Sequence, residues 1–571
     1  MGLFNKIWNS RLWLPITIIG LVVVNWLASL YHTRVDLTNE KRFTLSSATK
    51  KLLKKLDDEV KVDVFMKGDF PSGFKKLANS TGEVLQEFKE LAGKKIQYRF
   101  ISPEENVEGT DVKWADTLSA MGFYPINLTS QVKSGQQQQN IYPVAFVHYK
   151  EQVSPVILYQ GRTKAITYPE INSAEALMEF NFANAIDRLT RTEKAMIVYS
   201  AGNGEPVDAR TYDLSENVLK ADYKFQPVDM NAIPGIPASV QLLMIVKPAK
   251  PFSDETKLKI DQFVMRGGKL LLFVDKLEAE LDSLQSKKGE VVAYDRGLEL
   301  NDMLFKYGVR INSDLVMDLQ CDFLPFDVNG NGQFELLPWN YFPVFESRSN
   351  HIINKNLGFV SGRFVNSVDT VEAEGIRKTV LLSSSANARS IATPALISVK
   401  ENSDAPENER FKRSNIPVAM LLEGKFRSLF SNRLSQAMRD SLQKYGGTFM
   451  PQCIADNKII VVADGDIVLN SVIKGNQPIP MGMNPYTFGS QREFAFANRD
   501  FLQNCLDYLV NPSGLSEAKA KDYTLRLLDK KKTDAGKMNW QLINIAAPVL
   551  LVILFAVLYQ FLRKRKYTPD R

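Results

Sequence analysis

The sequence predicts an α/β protein, two domains of that class carried between membrane-crossing helices at the two ends. Three observations lead there. Short apolar runs rich in Val, Ile and Leu recur between amphipathic stretches from residue 60 to 509, the pattern of sheets covered by helices. Leu12–Tyr31 runs 20 residues without a formal charge. Trp540–Leu562 does the same for 23. At about 1.5 Å per residue, either run crosses a hydrocarbon core roughly 30 Å thick.

The flanks set the expected orientation. Residues 1–11 carry Lys6 and Arg11 with no acid, and the tail 563–571 opens on Arg563-Lys564-Arg565-Lys566. Short basic flanks are retained in the cytoplasm, so both termini are expected there and everything between the spans on the other side. Lys530-Lys531-Lys532 argue the other way, but long domains translocate largely regardless of charge. A cleaved signal peptide fits less well, because the apolar run is long and Ala28-Ser29-Leu30 is a poor cleavage site. Gly20, Asn25, Asn544, Ala546 and Ala547 offer helix-packing or hydrogen-bonding positions within the spans. An amide such as Asn25 is costly in lipid without a partner.

The formal charge of +7 is local. Residues 530–571 hold nine Lys or Arg against two Asp, so residues 1–529 net to zero and no basic face for nucleic acid is implied. Cys321, Cys453 and Cys505 are odd in number, widely spaced and without CxxC, which supports neither a disulfide framework nor a zinc site.

In chain order, Ser46 or Ser47 caps a helix over Ala48–Leu56. Val60–Met66 alternates as a half-buried strand, Phe74–Leu91 carries a helical stripe, and Ile96–Ile101 is a strand again. This βαβ unit suggests a thioredoxin-like domain over 35–190 that lacks the redox CxxC. Gly135–Asn140 (GQQQQN) reads as a hairpin tip between strands near Val144–Tyr149 and Val156–Leu158, and Ala174–Leu189 closes the domain as a helix.

The second domain, 193–510, opens on strand Ala195–Tyr199. Helix Asp213–Lys220 and strands Phe225–Val228 and Val240–Val246 follow. Ser253 caps a helix running to Met265, Gly267-Gly268 stops it, and Leu270–Val274 is wholly apolar. Apolar strands separated by helices read as a parallel, flavodoxin-like sheet covered on both faces. Beyond it lie helix Leu298–Tyr307, strand Leu315–Leu319, a polar loop over 401–415, strand Lys458–Ala463 and helix Arg499–Leu509. A charged stalk, 511–539, leads into the second span.

Several phrases together resemble the gliding-motility ABC-transporter auxiliary family, GldG. They are Asp36-Leu37-Thr38 with Lys41–Ser46, Gly267–Leu270, Asp302–Val309, Val462–Asp466 and Asn498–Phe501, set between two terminal spans. The resemblance runs over essentially the whole chain, though each phrase alone is weak. It implies a bacterial inner-membrane, two-pass protein with a periplasmic domain, working with an ABC permease, a cytoplasmic ATPase and other envelope or motility proteins in Bacteroidetes-type gliders. It also implies likeness to a non-catalytic α/β domain of intraflagellar-transport proteins, a scaffolding role, no cofactor and no catalytic residues.

Candidate sites are sparse. Gly267-Gly268-Lys269 precedes a strand, whereas a phosphate loop follows one and opens a helix, so nucleotide hydrolysis is assigned to another subunit. Asp327-Val-Asn329-Gly-Asn331-Gly332 begins like a calcium loop, but its twelfth position is Pro338, and Asn-Gly pairs are ordinary turn chemistry. Asp464 and Asp466 follow an apolar strand, where crevices of parallel sheets open. They could bind a metal or serve as acid and base, or equally cap a turn. Ser200, Gly202, Asn203 and Glu205 lie at an equivalent strand end, as a ligand loop or a plain connection. Lys247 stands where an amidotransferase-like enzyme would place Cys, and Ser383-Ser384-Ser385 lack G-x-S-x-G. The expected function is a non-enzymatic transporter auxiliary, with a solute-binding component or an envelope hydrolase as alternatives.

Overall fold

The computed structural model describes residues 13–30, 44–123, 125–132, 135–159, 166–281, 284, 289–327, 331–346, 349–399, 410–444, 448–490, 492–511, 514–520 and 530–567. It is a mixed α/β structure in two compact units, Met1–Asp522 and Tyr523–Arg571.

Helix α1, Trp13–Leu30, carries an apolar sequence. Helix α2 (Ser47–Lys54) starts as expected: the Ser46 hydroxyl accepts the Thr49 N–H at 3.2 Å. Strand β1 (Val60–Val64), helix α3 (Ser72–Ala92) and strand β2 (Ile96–Phe100) form the βαβ unit, with β1 and β2 parallel. A short helix, α4 (Trp114–Ala120), follows. The Gln-rich stretch departs from expectation. Gly135–Ile141 is itself a strand, β4, paired antiparallel with β3 (Ile126–Val132); residues 133–134 lie outside the described residues. Thr129, Ser130 and Gln131 face Gln138, Gln137 and Gln136 across this ribbon. Polar pairs on both faces need no core, so the apolar alternation that marks a strand is missing.

Strands β5 (Val144–Tyr149) and β6 (Gln152–Ile157) complete a four-stranded sheet of order β2-β1-β5-β6. Helix α5, Tyr168–Thr190, is longer than the stripe suggested, because Thr167 and Glu170 make a capping box. One sheet face packs Val60, Val62 and Val147 against Phe74, Leu77, Leu85, Phe182 and Ile186 of α3 and α5. The other carries a smaller cluster, Phe65, Ile101, Leu118 and Phe146.

The second sheet has seven strands. In chain order they are β7 (Met196–Ala201), β8 (Lys224–Asp229), β9 (Leu242–Val246), β10 (Lys269–Phe273), β11 (Ile376–Ser383), β12 (Pro417–Gly424) and β13 (Asn457–Val462). Their spatial order is β11-β12-β13-β10-β9-β7-β8, with β13, β10, β9, β7 and β8 mutually parallel and β12 antiparallel to both of its neighbours, β13 and β11. The expected helix after β7 is a π-helical turn over Asp213–Leu219. It lies on one face with helix α9 (Asn498–Val510), over Met244, Val246, Leu271, Phe273 and Val462. Alternate residues Leu243, Ile245, Leu270, Leu272 and Val461 meet helices α6 (Asp254–Met265) and α7 (Asn301–Tyr307) on the other face, where α8 (Gln436–Lys444) adds Met438 and Leu442 to the cluster. Burial on both faces is what the unbroken apolar strands required.

Between β10 and β13 the chain makes a long excursion through small antiparallel sheets. They are built around Trp339, whose ring centroid lies within 5.7 Å of those of Tyr341, Phe342 and Phe364. In the second unit, helix α10, Lys530–Tyr567, runs through Pro548 without a break. Its Gly536–Arg565 stretch, which holds an 18-residue window of mean hydropathy 2.6, is long and apolar enough to cross a membrane.

Candidate functional site

Four neighbouring parallel strands end on one edge of the large sheet, and their loops bring the sequence candidates to it. Lys247 directly follows β9, Asp275 lies two residues past β10, and Asp464 and Asp466 follow β13. Lys247 is buried and takes a left-handed backbone (φ 47°), which turns its side chain across the strand ends. Its ammonium donates to both Asp466 oxygens at 2.7 Å and lies 3.1 Å from Asp275 Oδ2 and 3.0 Å from Glu280 Oε2. Arg296 holds Glu280 from behind. Burial alone would lower the lysine's pKa, but Asp275, Asp466 and Glu280 together hold it well above the usual value.

The carboxylates divide the charge unequally. Burial pushes Asp275 up to about 6, and burial with Asp275 and Asp466 nearby pushes Asp464 well above the ordinary carboxylate value. Asp466 is half-buried, and Lys247 and Arg363 hold it below that value. Asp464 braces the turn by accepting the backbone N–H groups of Asp466 at 2.7 Å and Arg363 at 2.8 Å.

Ligand atoms of Asp275, Asp464 and Asp466 come within 4.8 Å of one another, a spacing a divalent ion could use. The Lys247 ammonium contacts two of the three. Close packing seals the rest: a Cβ on Gly465 would lie 2.6 Å from Lys247 Cβ, and one on Gly362 would lie 2.6 Å from Asp464 Oδ2. The cavity alongside, lined by Asp322, Arg363, Asp466 and Asn498 among others, is about 10 Å³, room for one water.

Ser200, Gly202, Asn203 and Glu205 come together one strand further along, at the end of β7. The Ser200 hydroxyl and the Asn203 backbone N–H donate to Glu205 at 2.7 and 2.8 Å, and Asn203 Nδ2 donates to Pro251 O at 2.9 Å. Gly202 has φ +107°, and a Cβ there would lie 2.1 Å from Asp229 Oδ1. The loop therefore folds its polar groups inward. One acceptor is left over among the described residues, the buried Asn203 Oδ1.

The remaining candidates lie apart. Asp327 accepts the N–H groups of Asn331 and Gly332 at 3.1 Å each, so its carboxylate is taken up by the loop backbone. Ser385 donates to Asp318 at 2.6 Å, while His351 lies edge-on to Tyr508. Asn25 and Asn544 are exposed on α1 and α10, and no heavy atom lies within 4 Å of where a Gly20 Cβ would be.

A wide groove lies where the sequence pointed to nothing. Beyond the carboxyl ends of β1 and β2 a groove of about 560 Å³ runs along α3. Phe70, Ala78, Gly82 and Phe100 give it apolar walls, and Lys75 and Glu83 stand on its rim. Such a volume is in the range of small-ligand sites. Gly82 was the available signal, a glycine in mid-helix with no positive φ to require it.

Comparison with known proteins finds similarities over both parts of the chain. The family described as an ABC-type uncharacterized transport system matches residues 194–505, and a Domain of unknown function (DUF7088) matches residues 39–148. An uncharacterized protein of Borreliella burgdorferi is 19% identical over 577 residues, 98% of this chain and 99% of its own length. Among solved structures, the mmIFT52 N-terminal domain matches 56% of this chain and 98% of its own at 12% identity, with a TM-score of 0.31. The first of these families takes in the whole large sheet and more than half of the chain, which therefore belongs to the ABC-type uncharacterized transport system auxiliary family.

Proposed function

We propose that this protein is a membrane-anchored, non-enzymatic scaffold of an ABC transport complex, with α1 and α10 as its two spans and the α/β domains held outside the cytoplasm. One observation carries the reading. The strand-end crevice that would serve an enzyme is filled by the protein's own Lys247, while α10 presents an unbroken apolar surface with nearly every side chain exposed. In this reading the domains are thioredoxin-like and flavodoxin-like, and a permease and a cytoplasmic ATPase are the partners. Gliding motility is the process, by the resemblance of the sequence phrases. Affinity purification of the full chain in mild detergent tests it. Permease and ATPase subunits are expected to co-purify, and recovery of the protein alone would overturn the proposal.

A second reading, solute binding, draws support from the groove along α3. The Gly82→Leu variant should fill the groove without touching the core. If a solute binds there, its stabilisation of the wild type against heat should vanish in the variant. A wild-type melting temperature unmoved by sugars, peptides and ions would set this reading aside.

A further inference from the structure

The short 3-10 helix Leu515–Ala520 belongs to both domains at once. Leu515 and Ala518 are buried in the core of the first domain, and a Cβ on Gly514 would come within 4.0 Å of Ala48 Cβ. Lys519, next along, is also buried. Its ammonium sits 3.9 Å from the centre of the Phe180 ring on α5, in the first domain. It donates to Asn504 Oδ1 on α9, in the second, and Asn356 Nδ2 donates back to the Lys519 carbonyl at 3.2 Å. A second tie crosses the same boundary, Arg188 of α5 to Asp222 at 2.8 Å.

Lys247 and Lys519, both buried, are held very differently. Lys247 has three carboxylates within 3.1 Å. Among the described residues the one carboxylate within 4.0 Å of Lys519 is Asp507, and that oxygen, Oδ2, accepts no hydrogen bond there. Burial lowers the Lys519 pKa, with Asp507 and Asp500 opposing and Arg188 adding to the fall. An ion buried with so little compensation costs free energy to keep seated. The turn is held by its apolar residues and strained by its charge, which is how a releasable contact differs from a lock.

We propose that residues 515–520 are a conformational joint between the two domains: seated, they clasp α5 to α9, and released, they let the two part.

Hydrogen exchange on the full chain in detergent or nanodiscs tests this with two variants that act in opposite directions. Leu515→Asp should unseat the turn and speed exchange in both α5 and α9, leaving strands β1 and β9 protected. The double variant Lys519→Met with Asp507→Asn removes both poorly compensated charges at near-constant volume. It should slow exchange in residues 515–520, α5 and α9 together. If Leu515→Asp loosens the whole first sheet while α9 is unchanged, Leu515 is only a core residue and the proposal fails. It fails equally if the double variant leaves exchange unchanged or speeds it.

Discussion

Replacing Lys247 by Met would leave Asp275, Asp466 and Glu280 around an apolar side chain, with Arg363 still near Asp466 and Arg296 on Glu280 but the cation gone from buried Asp275. Removing one partner of a buried ion cluster costs about 3–5 kcal/mol, so Lys247→Met should lower the unfolding free energy by about that amount. Urea unfolding of the purified chain reads it directly. A loss under about 1 kcal/mol, the scale of a surface pair, would mean the cluster is hydrated. The acid side of the cluster makes a separate prediction. Asp275 is pushed up to about 6 from 3.8, so the folded state keeps a proton that the unfolded chain has already lost. Its contribution is full below 3.8 and disappears as the pH rises through about 6. Relative to Asp275→Asn, the wild type should therefore lose stability between those two values. Parallel curves of urea midpoint against pH for the two proteins would refute it. The sequence made Asp464 and Asp466 visible because they end an apolar strand. It could not reveal that Lys247, 219 residues from Asp466 in the chain, projects between Asp466 and Asp275.

Among the elements, what was legible followed burial. Strands packed on both faces, such as β9 and β10, were read to within a residue or two because every position is apolar. Helix α5 was read about a turn and a half short, although Thr167-x-x-Glu170 was there to mark its start. Thr167→Ala should cost about 1 kcal/mol in urea unfolding, with no loss if the box is ornamental. Strand β4 escaped because a polar ribbon has no apolar period, and the π-turn after β7 because its wider pitch leaves no period of 3.6. Helix α3 carries a further prediction. A Cβ on Gly82 would meet the Phe100 ring at 3.6 Å, ordinary contact, so Gly82→Ala should stabilise the chain by up to about 1 kcal/mol through helix propensity. A destabilised Gly82→Ala variant would show that the groove wall cannot accept even a methyl group.

At the scale of the whole molecule, the proposed topology rests unequally on the two spans. The second is nearly balanced, with Lys530, Lys531, Lys532 and Lys537 on one flank and Arg563, Lys564, Arg565, Lys566 and Arg571 on the other. The first is not. Lys6 and Arg11 precede it with no acid, whereas Arg34 after it is followed by Asp36 and Glu40. The first span usually dominates orientation, and a two-span chain must return its end to the side where it began. The basic tail should therefore be less important than it looks. Neutralising Arg563 to Lys566 with Gln should leave the C-terminus protected from protease added to intact spheroplasts. Changing Lys6 and Arg11 to Gln should expose both termini in a fraction of the molecules. A C-terminus already accessible in the wild type would overturn the two-span arrangement. If the tail variant alone inverts the chain, α10 rather than α1 sets the side of the membrane on which the domains stand.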